Sequence, residues 1–244
     1  MPPALLGETL YDLRMTEPGR IRKGFKHYAF ELIVIVSGIT LSFFLNEWRQ
    51  ERRGSEAMRM DLMAIQRNLE ADHEEIVDLL ERHKKGVKAL EDLLAYAEGE
   101  GDPSRFSQTV VDFMNTGVSF FPDVGARKAM VASGNIRWLQ DPALSTALSE
   151  YYDHLVPRVL DNNLLMDKLI VADLLPWFGG LYPHAGKIHE WEKGFPIDIV
   201  KAPAFRERIG SNIPHAIWYM ELLTRSEQKV GVALEAIATH LQQE

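Results

Sequence analysis

The stretch Leu32–Leu45, LIVIVSGITLSFFL, decides the reading of this 244-residue chain. Ten of its fourteen residues are Leu, Ile, Val or Phe and none is charged. As a helix it covers only about 21 Å, short of a hydrocarbon core of about 30 Å. Tyr28 and Trp48 extend it on either side, and the 21 residues they bracket reach about 30 Å. Both are aromatics that favour the headgroup layer. Lys23 and Lys26 stand before the bracket and Arg49, Arg52 and Arg53 after it, with stems long enough to carry charge to the water. Ten strongly apolar residues contribute about −3 to −6 kcal/mol to insertion. Ser37, Thr40 and Ser42 can bond their own helix backbone. Together with Gly38, the small residues Ser37 and Ser42 suit close approach by a neighbouring transmembrane helix. Glu31 precedes the apolar run; its carboxylate either reaches the headgroups or Lys26, or meets a polar group of a partner inside the membrane.

The charge distribution agrees with a membrane anchor. The chain has 27 Lys+Arg against 35 Asp+Glu, a net charge of −8, which argues against a general nucleic-acid binder. Residues 1–27 nevertheless sum to +2, so the rest is strongly acidic. There is no Cys, which excludes disulfides, thiolate nucleophiles and cysteine-ligated metal clusters. No small-residue cleavage pattern follows the apolar run, where the chain continues Asn46-Glu47-Trp48, so an uncleaved signal anchor is expected. Four basic residues in 20–31 against three in 46–57 lean toward a cytoplasmic N-terminus and a periplasmic body, in a bacterial inner membrane. The expected organisation is a basic segment (1–27), an anchor (28–48) and a helical extramembrane domain (49–244).

From Glu51 to Glu98 there is no Pro, and only Gly54 and Gly86 interrupt. Leu62, Ile65, Leu69, Ile76, Leu80, Val87, Leu90 and Leu94 recur at intervals of three and four and their sums, one face of a long stalk helix. Charged residues including Glu70, Asp72, Glu74 and Glu75 are assigned to the other face. His83 and Gly86 spoil a strict heptad seam, which favours packing within the chain's own bundle over a self-associating coiled coil. Gly99 to Pro103 breaks the helix, with Asp102-Pro103 as a new cap. A helix through Phe106, Val110 and Phe113 then stops near Gly117, and the apolar linker 118–122 follows. Ala126–Ser133 reads as a short helix ended by Gly134. Asp141-Pro142 repeats the cap, and that helix is expected to kink or break before Pro157. Pattern resumes over Val159–Leu175. Residues 176–203, with four Pro, four Gly and five aromatics, read as one long loop. Two last helices are expected, Phe205–Ile209 and Ile213–Leu241. No hairpin signal appears, so the fold class is all-α: a transmembrane helix continuing into a helical bundle with one long Pro/Gly/aromatic loop.

Two blocks carry a resemblance. One is Glu31-Leu32, Gly38-Ile39, Phe43, Asn46-Glu47-Trp48 and Glu51-Arg52. The other is Ala132-Ser133-Gly134-Asn135-Ile136, then Leu144, Leu148 and Glu150-Tyr151-Tyr152. Over roughly residues 25–160 the chain resembles a family of bacterial single-pass membrane proteins known only as a domain of unknown function. The resemblance implies an anchor and a helical body, and it supplies no activity.

No constellation rises to a catalytic motif. His184, His189, Glu190 and Glu192 lie in the loop without the spacing of a metal site, and no metal or other cofactor is expected. His73-Glu74-Glu75 reads as a solvated face. Ser133-Gly134 lacks the frame of a nucleophile turn and reads as a helix end. Gly179-Gly180 lacks the frame of a phosphate loop. The loop residues Trp177, Phe178, Leu181 and Tyr182 either fold back on the core or form a docking surface for a partner or the lipid interface. The expectation is a non-enzymatic accessory subunit that braces a larger membrane complex, such as a photosynthetic or respiratory assembly. Its partners would be other integral membrane subunits and the bilayer. The alternative is a membrane-tethered sensor with a pocket under 176–203, lined by Trp177, Tyr182 and Trp191.

Overall fold

A computed structural model describes residues 18–100, 105–174, 176–177, 180 and 201–243. The chain divides into two units, Met1–Arg53 and Gly54–Glu244. Helix α1, Pro18–Glu98, contributes to both.

Among the described residues of the first unit, the apolar side chains from Leu32 to Leu45 are left uncovered. Leu32 is 62% exposed and Phe43 70%. An 18-residue window of the helix has a mean hydropathy of 2.0, and none of it is buried. The helix is long and apolar enough to cross a membrane. Two of its hydroxyls are turned inward on the backbone: Thr40 Oγ1 donates to the Val36 carbonyl at 2.9 Å and Ser42 Oγ to that of Gly38 at 2.8 Å. Tyr28, Glu31, Ser37, Gly38 and Trp48 are all exposed. The Arg52 guanidinium lies over the Trp48 ring, 5.9 Å from its centroid.

The second unit is all-α, with no strand among the described residues. The stripe read from the sequence is its spine: Leu62, Ile65, Leu69, Ile76, Leu80, Val87 and Leu90 are buried, and Leu94 is half-buried. Around it lie α2 (Phe106–Met114) with a 3₁₀ turn Asn115–Gly117, α3 (Gly125–Ala132) with a 3₁₀ turn Asn135–Trp138, α4 (Pro142–Ser149), α5 (Val156–Met166) and α6 (Pro203–Gln243). Helix α6 packs against α4 and α5. The stop signals act as read. Gly99 (φ +87°) and Gly134 (φ +75°) take the left-handed conformation that ends a helix. The Asp141 carboxylate accepts from the Ala143 and Leu144 amides, capping α4. Ser133 is a helix end, its Oγ donating to the Met130 carbonyl. Asp102 and Pro103 fall outside the described residues.

Three expectations are corrected. The chain does not break before Pro157. A π-helical segment, Glu150–Leu155, joins α4 to α5, and Pro157 sits in the first turn of α5, where its missing amide hydrogen is least needed. The wider π turn carries the chain into that start; a second π segment, Asp167–Leu174, follows α5. The two last helices are one. Helix α6 runs through Pro214, facing glycine at position 210 four residues back, while the Asn212 side chain donates to the Arg208 carbonyl (2.7 Å) and His215 Nδ1 bonds that of Ser211 (3.1 Å). Lastly, Asp72 is not on the solvated face; it is 3% exposed.

Candidate functional site

The linker 118–123 between the turn after α2 and the start of α3 has no helical bonds of its own, so its main-chain groups need partners. Buried side chains from three helices supply them. His83 on α1 holds the Val118 carbonyl at 2.9 Å through Nε2. A carbonyl can only accept, so Nε2 carries the hydrogen. Burial keeps the ring's pKa below its ordinary value, which favours this neutral form, and the edge of the ring meets Tyr219 with centroids 4.8 Å apart.

At Phe120 the bonds close into a cycle. The Phe120 amide donates to Tyr219 Oη (2.8 Å), the Tyr219 hydroxyl to Asn163 Oδ1 (2.9 Å), and Asn163 Nδ2 to the Phe120 carbonyl (2.6 Å). Burial pushes the Tyr219 phenol up to about 12. At the far end Asp72 Oδ1 accepts from the Asp123 amide (3.0 Å), and Oδ2 accepts from the Tyr151 hydroxyl (2.6 Å). Burial raises the Asp72 carboxyl above the usual range despite these two donors, and the neighbouring Asp123 adds to the rise. Glu75 is raised too, by its own partial burial and then by Asp72. The seam thus engages the linker backbone at four points, and its chemistry is positional.

The π segment Glu150–Leu155 separates two clefts of about 470 Å³ each. One opens between the π segment and α6, with Glu150, His154, Arg158, Arg225 and Lys229 on its walls and a Lys229–Glu150 ion pair. That pair holds the Glu150 carboxyl below its ordinary value. The other lies between α3 and α5. Arg127, Lys128, Tyr152 and Asp153 furnish its polar groups, and Val124, Val131, Val156, Pro157 and Leu160 its apolar ones.

Of the residues singled out in the loop, Trp177 is half-buried: its ring packs beside Phe205 (5.9 Å between centroids) and under the Arg208 guanidinium (5.1 Å). Phe178, Leu181, Tyr182 and Trp191 lie outside the described residues, as do His184, His189, Glu190 and Glu192.

The chain matches the family described as "Family of unknown function (DUF6090)" over residues 31–173, more than half its length. It belongs to the DUF6090 family. Both blocks that carry the sequence resemblance fall inside the match. So do the exposed apolar helix from Glu31 onward, the linker with Asp72, His83, Tyr151 and Asn163, and the α3–α5 cleft. The part of α6 that carries Tyr219, and Trp177, lie beyond the DUF6090 match. No curated protein and no solved structure is significantly similar to the chain.

Proposed function

We propose that this DUF6090 member is a bacterial single-pass inner-membrane protein that acts without catalysis, as an accessory subunit bracing a larger membrane complex. One observation carries the reading: among the described residues nothing covers the apolar face from Tyr28 to Trp48, and lipid or the helices of partner subunits would remove it from water. The helical body supports the same reading. Leu164 (70% exposed) and Val171 (51%) leave apolar surface on α5 and the following π segment. The N-terminus is cytoplasmic and the body periplasmic in this reading. Gly38, where an added Cβ meets nothing within 4 Å, sits with Ser37 and Ser42 on a helix ready for close approach.

The full-length chain is expected to stay in the pellet on carbonate extraction of membranes. The double substitution Ile35→Lys with Ile39→Lys, which puts two charges in the apolar run, should move it to the supernatant. Gentle detergent extraction should bring integral membrane subunits along in fixed ratio, with photosynthetic and respiratory assemblies the first to look for. A wild-type chain recovered from the soluble fraction without detergent, or extracted always alone, would end the proposal.

A second reading, a membrane-tethered sensor, draws on the two clefts flanking the π segment, since π turns recur at functional sites. In this reading the pocket is the cleft beside Tyr152; most of 176–203 lies outside the described residues.

A further inference from the structure

The α3–α5 cleft contains a charge that the chain itself leaves poorly served. Arg127 is only 9% exposed. Among the described residues its one acceptor is the Asp153 carboxylate on the rim, at a long 3.4 Å from Nη2, and that carboxylate is more than half exposed. Among the described residues Nε and Nη1 are buried with no acceptor, and the Tyr152 hydroxyl, on the lining of the same cleft, is buried with no partner. A buried guanidinium in this state is costly, and so is an unpaired phenol. The three groups share one need, an oxygen that accepts. Arg127 is close enough to Tyr152 for its charge to counter, in part, the rise that burial imposes on the phenol.

The walls limit what can bring that oxygen. Six of the ten lining residues are apolar, so a hydrated polyanion would lose water against Val131, Val156 and Leu160 without replacement. Arg127 and Lys128 against Asp153 leave a single positive charge among the lining residues, while the Asp72 and Asp123 carboxylates help to raise the Tyr152 phenol. The volume, about 470 Å³, is that of a small-molecule site.

We propose that this cleft binds a small monocarboxylate with a compact apolar body, its carboxylate on Arg127 and the Tyr152 hydroxyl and its hydrocarbon against Val131, Val156 and Leu160. The site serves the sensing reading but does not depend on either proposed function, because occupancy is measured directly.

The test uses the full-length chain in lipid nanodiscs, with empty nanodiscs subtracted. The probe is 3-(4-fluorophenyl)propanoate, read by fluorine NMR line broadening, and the neutral control is the corresponding alcohol. Saturable broadening by the carboxylate is expected, with the alcohol weaker by about tenfold or more. Arg127→Gln should weaken the carboxylate by a similar factor. Leu160 is 41% exposed at the rim, so Leu160→Trp fills the cleft without entering the core and should abolish binding while leaving the melting temperature in place. That variant decides the matter if Arg127→Gln fails to fold. No saturable broadening, equal binding of acid and alcohol, displacement of the probe by equimolar inorganic phosphate, or unchanged binding in the folded variants would each overturn the assignment.

Discussion

Asp72→Ala is expected to destabilise the helical body by about 2–5 kcal/mol, because it strands two buried donors at once. The Tyr151 hydroxyl and the Asp123 amide both donate to this carboxylate, and at Tyr151, 1% exposed, water does not reach to replace it. Thermal unfolding of the full-length chain in detergent, followed by circular dichroism, measures the loss. Asp72→Asn separates the hydrogen bonds from the charge. Its Oδ1 can accept from the Asp123 amide while Nδ2 donates to Tyr151 Oη, the phenol having turned its hydrogen away. The Asp123 amide keeps its acceptor but the buried Tyr151 hydrogen loses its own, so the Asn variant should lose about 1–3 kcal/mol at neutral pH, less than the Ala variant. Equal losses in the Ala and Asn variants would mean that the carboxylate charge, not the donors it satisfies, fixes the linker.

The same pair of variants reads a pH dependence whose sign follows from burial. The folded Asp72 carboxyl holds its proton more tightly than it does in the unfolded chain. Its contribution to stability is therefore fully present below the ordinary carboxylate range and is lost as pH rises through the folded value. Glu75 acts in the same direction. His83 acts in the opposite one: its pKa is lowered by burial, so its contribution is present above about 6.5 and is lost as pH falls through the folded value. Between pH 4 and 7 the two kinds of group oppose each other. Asp72→Asn deletes the term that falls with rising pH, so the melting temperature of the variant should climb more steeply over this interval than that of the parent. Parallel pH profiles would show that Asp72 titrates normally.

Asp72 also shows what the sequence could and could not convey. It lies three residues after Leu69 and four before Ile76, on the same stripe as the buried leucines, and His83 continues that stripe. The spacing placed both residues inside; chemical type alone suggested the solvated face for Asp72, among Glu70, Glu74 and Glu75. A polar residue at a stripe position was the available signal. The helical stripe itself, the Asp141 cap and the Gly134 stop were legible because each is a local device, complete within a few residues. The linker 118–123 was not, since the atoms that fix it are main-chain groups meeting Asn163 and Tyr219 from 43 and 99 residues away. Pro157 misled for a related reason. A proline reports the amide it lacks, while the π segment before it depends on the surrounding helix. Arg127 and Tyr152 come to line one cleft only because α3 and the π segment lie together in the fold, and no spacing in the chain announces that.

Gly86→Val should cost about 3 kcal/mol, and even Gly86→Ala should destabilise, against the gain of about 1 kcal/mol that Ala brings to an ordinary helix position. A Cβ at residue 86 would stand 2.2 Å from Thr116 Cγ2 and 3.3 Å from both the Asp112 carbonyl oxygen and the Thr116 amide nitrogen. Thr116 has little room to yield: it is 1% exposed and its hydroxyl is tied to the Phe113 carbonyl at 2.7 Å. The double variant Gly86→Ala with Thr116→Ser removes the methyl in the way and keeps the hydroxyl. It should recover most of the loss, with a coupling energy of about 1–2 kcal/mol and a residue of strain from the backbone contacts. If Gly86→Ala instead raises the melting temperature as helix propensity alone would, the turn after α2 does not press on α1. The glycine that breaks a heptad seam is on this account the reason no seam is needed. It lets the 3₁₀ turn lie directly on the helix, and a second copy of the chain would have to displace that turn to pair along the same face.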